Sequence, residues 1–150
     1  RVARHVRKAL DRPAQRVLRP ADYGRLAEFR YVLRRFLIFS ENAAVGAGLS
    51  AQQHQALLAI KAAGTALPVT AGLLAERLGI RHHSAVGLLD RLAEKNLIRR
   101  QRNSGDRRQV LILLTPKAER LLARLSAAHQ CELRRVAPLL RGLLTRLARR

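Results

Sequence analysis

A chain of 150 residues, 48% of them apolar, has the length and material for one domain with a buried core. Thirty Lys and Arg against ten Asp and Glu leave a formal charge of +20, which favours a polyanion or an anionic surface as partner. Two Tyr, three Phe and no Trp count against a single-strand binder built on stacking platforms, and a single Cys excludes an internal disulfide framework and a cysteine-based zinc finger while fitting a cytoplasmic protein.

Residues 1–20 carry seven basic residues and one acidic one. They read as a basic arm or a short helix, with Pro13 and Pro20 as breaks. They lack the apolar stretch of a signal peptide, and the absence of any Met after Arg1 leads us to expect that the natural start is missing. Residues 22–45 predict a long helix: Leu26, Phe29, Leu33 and Phe36 recur at spacings of three and four, broadened by Leu37 and Ile38. Gly46 and Gly48 supply its stop. Ser50 and Gln53 form a capping-box pattern opening a second helix to Ala63, with Leu57, Leu58 and Ile60 as its apolar residues.

After a short link, Thr70 is a good N-cap for a helix over 71–78 that ends at Gly79. A further helix over about 82–95 should bury Ala85, Val86, Leu88, Leu89 and Leu92. Two short helices joined by a tight Gly-containing turn make a helix-turn-helix. Residues 97–102 and 109–114 read as strands around turn-forming Asn103-Ser104-Gly105-Asp106, which makes a hairpin. Thr115-Pro116 then starts a helix to about residue 136, where Pro138 should kink or break it. Leu133, Val136, Leu140, Leu143 and Leu147 form a seam suited to a partner helix.

A helix-turn-helix followed at once by an Arg-rich hairpin is a winged helix, and its physics suits duplex DNA. A helix fits the major groove with its N-terminal side chains on base edges, and an Arg-bearing tip can enter the minor groove. The expected base readers are His82, His83 and Ser84, with Arg81 on phosphate and Gly87 leaving room for close approach. On the wing, Arg102, Ser104, Gly105, Arg107 and Arg108 are expected at DNA, with Arg107 or Arg108 in the minor groove.

The stretches LLAERLGI, SAVGLLDRLAEKNLIRR and NSGDRRQVLILLTPKAERLL resemble the MarR family of bacterial transcriptional regulators, a resemblance covering roughly residues 25–148. Ala118 replaces a usual Gly, and a His pair stands where small hydroxyl residues are common. The resemblance implies a mainly α fold with a small β-hairpin wing (α+β), and a homodimer whose first and last helices interleave. The expected layout is a basic arm at 1–20, a dimerisation helix at 21–49, a DNA-binding lobe at 50–115 (reading helix about 82–95, wing about 98–114) and C-terminal dimerisation helices at 116–150. By the same analogy Asp106 stabilises the wing tip and Asp90 pairs with Arg108 at its root. The plain alternatives are a turn residue and a solvated charge.

A small-molecule pocket between dimer part and reading lobe is a family feature; Arg30, Tyr31, Arg34 and His54 are candidates to line it, and an anionic or aromatic effector suits their charge. Some family members sense oxidants through a cysteine in the first helix, whereas Cys131 lies late in the chain, where an inert thiol is the main expectation. No metal site is expected, because adjacent His82 and His83 do not face each other on a helix. No cofactor, phosphate loop, nucleophile elbow or placed carboxylate pair points to an enzyme. No unbroken apolar run exceeds five residues, so no membrane span is expected. The expected function is therefore a dimeric repressor of a pseudo-palindromic operator, with a nonspecific architectural DNA binder and a redox-sensing regulator as alternatives.

Overall fold

The computed structural model describes residues 6–7, 19–64, 69–102 and 110–148; positions 1–5, 8–18, 65–68, 103–109, 149 and 150 lie outside the description. The order is α1 (Pro20–Gly46), α2 (Ala51–Ala63), α3 (Ala71–Leu78), α4 (His82–Glu94), β1 (Ile98–Arg102), β2 (Val110–Leu114) and α5 (Pro116–Ala148). The two strands form an antiparallel hairpin with Ile98 opposite Leu114 and Arg102 opposite Val110. The fold is thus mainly helical with a small wing, as the sequence implied.

Local chemistry sets the boundaries. The Ser50 hydroxyl accepts from the Gln53 backbone N–H at 3.1 Å, while Gln53 Oε1 accepts from Ser50 N–H at 3.0 Å. The Thr70 hydroxyl caps α3 by accepting from Leu73 N–H, and Thr115 caps α5 by accepting from Ala118 N–H. Gly79 ends α3 at φ 64°, a left-handed conformation that suits a residue without a Cβ.

The main core lies where α2, α3, α4, the hairpin and the start of α5 meet. Leu57, Leu74, Leu88, Leu92 and Leu97 are fully buried there, and Ala44 and Leu49 tie the end of α1 into it. A second, smaller cluster joins the two long helices through Val32, Val136 and Leu143, with Phe29 and Leu140 packed around them.

Two expectations require correction: helix α5 does not end near residue 136 or break at Pro138 but runs on to Ala148, and Val86 is not buried. Pro138 and Arg134 are exposed, and Val136, Leu140 and Leu143 hold both flanks of the proline against α1. The helix that the C-terminal seam meets in the single chain is α1: Val136, Leu140 and Leu143 pack on it, and Leu133 stays exposed. Val86 is exposed rather than buried, because it falls outside the arc of α4 that meets the core; Leu58 of α2 is exposed as well.

Candidate nucleic-acid interface

Helix α4 is fixed from behind. Ala85, Leu88, Leu89 and Leu92 are buried, which turns His82, His83, Val86, Arg91 and Glu94 outward. Ser84, Gly87 and Asp90 lie at the edges of that face, half-buried. Arg81 occupies the N-cap position, is exposed, and provides no side-chain cap. In contrast to α2, α3 and α5, the first turn of α4 therefore keeps its backbone N–H groups uncapped by a side chain. Such a turn, at the positive end of the helix dipole, suits a phosphate.

A Cβ added at Gly87 would meet only the far end of the Arg91 side chain, at 3.4 Å. Asp90 Oδ1 accepts from the Arg100 guanidinium of β1 at 2.5 Å, which links the reading helix to the wing root. Arg100 is thus the cation that pairs with Asp90 among the described residues; Arg108, the expected partner, lies outside them. Ser104, Gly105, Asp106 and Arg107 lie outside them too, as does the side chain of Arg102, whose backbone ends β1.

The far end of α4 is anchored by residues that the sequence reading did not single out. Lys95 Nζ donates to the Gly48 carbonyl at 2.7 Å and to Gln53 Oε1 at 3.3 Å, joining the reading helix to the α1–α2 corner. Lys117 Nζ donates to the Lys95 carbonyl at 3.0 Å, and the Thr115 hydroxyl donates to the Asn96 carbonyl at 2.9 Å. Asn96 turns the chain at φ 55°, a conformation Asn tolerates. The available signal was a lysine at a helix C-terminus followed by Asn, a stop pattern that fixes the turn without naming its distant acceptors.

The four candidate effector residues separate into two places. Arg30, Tyr31 and Arg34 line one groove of about 430 Å³ along α1, with Ala27, Leu33 and Leu37. His54 is not on that groove. It is 5% exposed, and its ring lies 4.8 Å from that of His129, centroid to centroid. A carbonyl only accepts, so the 2.6 Å contact to Leu125 O puts a proton on His129 Nδ1. In the neutral ring, Nε2 then accepts from the Ser40 hydroxyl at 2.8 Å. Phe36 and Phe39 turn their edges to the same imidazole. Burial, and then the neighbouring His129, hold the His54 pKa below its ordinary value.

Elsewhere, Lys61 and Glu119 pair at 2.6 Å between α2 and α5, which holds the Glu119 carboxyl below the usual carboxylate range. Cys131 is exposed on α5. Among the described residues no cluster of three or more His, Cys, Asp or Glu is arranged to hold a metal ion, and no helix is long and apolar enough to cross a membrane.

Comparison with known proteins places this geometry. The model of the MarR family matches residues 47–109, from just after α1 to just before β2. Among solved structures, CouR from Rhodococcus jostii, bound to p-coumaroyl-CoA, is 26% identical, with 80% of this chain and 88% of that one covered at a TM-score of 0.62. A MepR variant from S. aureus bound to an oligodeoxyribonucleotide is 18% identical over 79% of this chain and 91% of its own, at a TM-score of 0.65. MarR from E. coli in its apo form is 21% identical over 89% and 99%, at a TM-score of 0.63.

Proposed function

Since residues 47–109 carry the winged-helix module of the MarR family within a chain of that family's fold, we propose that this protein is a transcriptional repressor binding a pseudo-palindromic operator as a homodimer. The observation that carries the reading is the outward face of α4. His82, His83 and Ser84 cluster around a first turn with no side-chain cap, backed by a rigid core and followed by an Arg-bearing wing. In this reading His82, His83 and Ser84 meet base edges, Arg81 holds phosphate, and Arg107 or Arg108 enters the minor groove. The activity is binding rather than catalysis, and it puts the protein with DNA in a bacterial cytoplasm.

The homodimer rests on the long helices. Leu26, Leu33, Leu37 and Ile38 on α1 and Leu133, Leu139 and Leu144 on α5 remain exposed in the single chain. So many apolar side chains on one helix pair suit a second copy, and a two-fold pair of lobes sets half-sites about one turn (~34 Å) apart. The groove of Arg30, Tyr31 and Arg34 offers two cations beside an aromatic ring, which suits an anionic or aromatic effector held against the partner copy, since Leu33 and Leu37 of its wall belong to the same dimer face.

A second reading, a nonspecific architectural binder, draws on the +20 charge, which extends to Arg120, Arg124, Arg134, Arg141 and Arg146 of α5, well beyond the lobe. Selection from random duplex DNA near physiological salt separates the two. A regulator enriches a pseudo-palindrome bound at least ~1000-fold more tightly than its scramble. Equal affinity for every duplex, with a steep salt slope, assigns the protein to the architectural class.

A further inference from the structure

We propose that Val86 reads thymine: its isopropyl group contacts a C5-methyl in the major groove and makes each half-site demand that base. The assignment rests on the regulator reading above and adds to it a residue that the pattern of apolar spacing had placed in the core.

Three observations carry it. Val86 is 37% exposed, whereas its helix neighbours Ala85, Leu88 and Leu89 are 0%, 1% and 3% exposed. It stands three residues after His83 and four after His82, so all three share the outward face of α4. Val86 also lines a cleft of about 430 Å³ between the start of α3, α4 and the wing, together with Thr70, Ala71, Val110 and Arg100, over the buried Leu89 and Ile112. Val110 is itself 45% exposed. Two exposed valines thus adjoin the face that carries His82, His83 and Arg91.

The ligand chemistry follows from what duplex DNA displays. In the major groove every base edge offers a donor, an acceptor or both, and the thymine methyl is the apolar group among them. His82 and His83 satisfy hydrogen-bonding edges, while an isopropyl group facing those edges would strip their water and return no bond. Against a methyl it buries carbon on carbon. A β-branched residue also has one dominant rotamer in a helix, so the contact requires no ordering of a flexible side chain.

The test uses the full chain and the duplex obtained by selection. Each thymine of a half-site is replaced in turn by deoxyuridine, which removes the methyl and leaves every hydrogen-bonding group in place. One position per half-site should weaken binding by about fourfold, the value of one buried methyl-sized group. Val86→Ala should bind the thymine operator more weakly, lose its sensitivity to uracil at that position only, and keep the wild-type helical spectrum and melting transition. An operator without a methyl-sensitive thymine, or undiminished sensitivity in Val86→Ala, overturns the assignment and leaves the regulator reading standing. If no operator is enriched at all, the regulator reading falls and this assignment falls with it.

Discussion

The winged lobe and the long-helix pair complete their cores to different degrees. In the lobe, α2, α3, α4, the hairpin and the start of α5 converge from several directions, and Leu57, Leu74, Leu88, Leu92 and Leu97 lose essentially all their solvent contact. Helices α1 and α5 are longer, at 27 and 33 residues, yet their shared cluster buries only Val32, Val136 and Leu143. Tyr23, Tyr31, Leu33, Leu37, Leu139 and Leu144 remain open on the same pair. Two helices cover one stripe of each other and leave the other flanks wet. The lobe is therefore self-sufficient in packing, whereas the helix pair keeps apolar surface uncovered in the single chain.

The largest expected effect comes from that uncovered surface. Leu37→Glu places a charge on the open face of α1 without touching the lobe core. It should yield monomers in sedimentation at micromolar protein, and operator affinity should fall by roughly 10²–10⁴ as the second half-site stops acting in concert with the first. A dimer that survives the substitution would place its interface on another face.

The next largest concerns the closed core. Leu92→Ala should cost about 2–5 kcal/mol in urea unfolding, because Leu92 is fully buried between α4 and its neighbours and little can collapse into the space. The cost should be the same in a Leu37→Glu background, since distant sites without shared partners add. A cost that changes with the state of the long helices would show that the two regions are not independent.

The junction between the regions should respond to acid. His54 on α2 faces His129 on α5, with Ser40 and two Phe rings of α1 closing the cluster. Its folded-state pKa lies below the ordinary value of about 6.5. The unfolded chain therefore takes up the proton first as pH falls. Stability contributed by neutral His54 is fully present above about 6.5, declines as pH drops below it, and levels off beneath the folded-state pKa. Urea midpoints measured from pH 7.5 downward should show this decline, and His54→Gln should flatten it. An unchanged slope in the variant would assign the acid response to other groups.

Much of this architecture was legible in the sequence, and the exceptions have physical causes. The caps at Ser50, Thr70 and Thr115 and the stop at Gly79 are local chemistry, so they place boundaries without knowledge of the fold. Pro138 misled because Val136, Leu140 and Leu143 on either side of it pack against α1 and carry the helix past the proline, and that packing is a tertiary property. Val86 misled because it follows a buried Ala85 in a run rich in apolar residues, and only the packing of the lobe shows where the buried arc ends. Lys95 was invisible as an anchor because its acceptors, Gly48 and Gln53, lie 47 and 42 residues away. Asp90 was legible as an ion-pair candidate, but Arg100 as its cation depends on how β1 lies against α4, which local sequence does not specify.

That ion pair yields the smallest expected effect and the sharpest check on what holds the lobe together. The Asp90 and Arg100 side chains are 48% and 45% exposed, so water screens the pair and replaces much of what it offers. Asp90→Ala should lower stability by only about 0.2–1 kcal/mol, and 0.5 M salt should shrink the difference further, because exposed charges are screened over short distances. Loss of the carboxylate also frees the Arg100 guanidinium beside the cleft lined by Val86. Nonspecific DNA affinity should therefore rise slightly at low salt even as the fold weakens. A stability loss as large as that of Leu92→Ala would show that the wing is pinned to the reading helix by charge. The small loss expected here follows from a lobe whose hairpin is held by Ile98 and Ile112 inside its core.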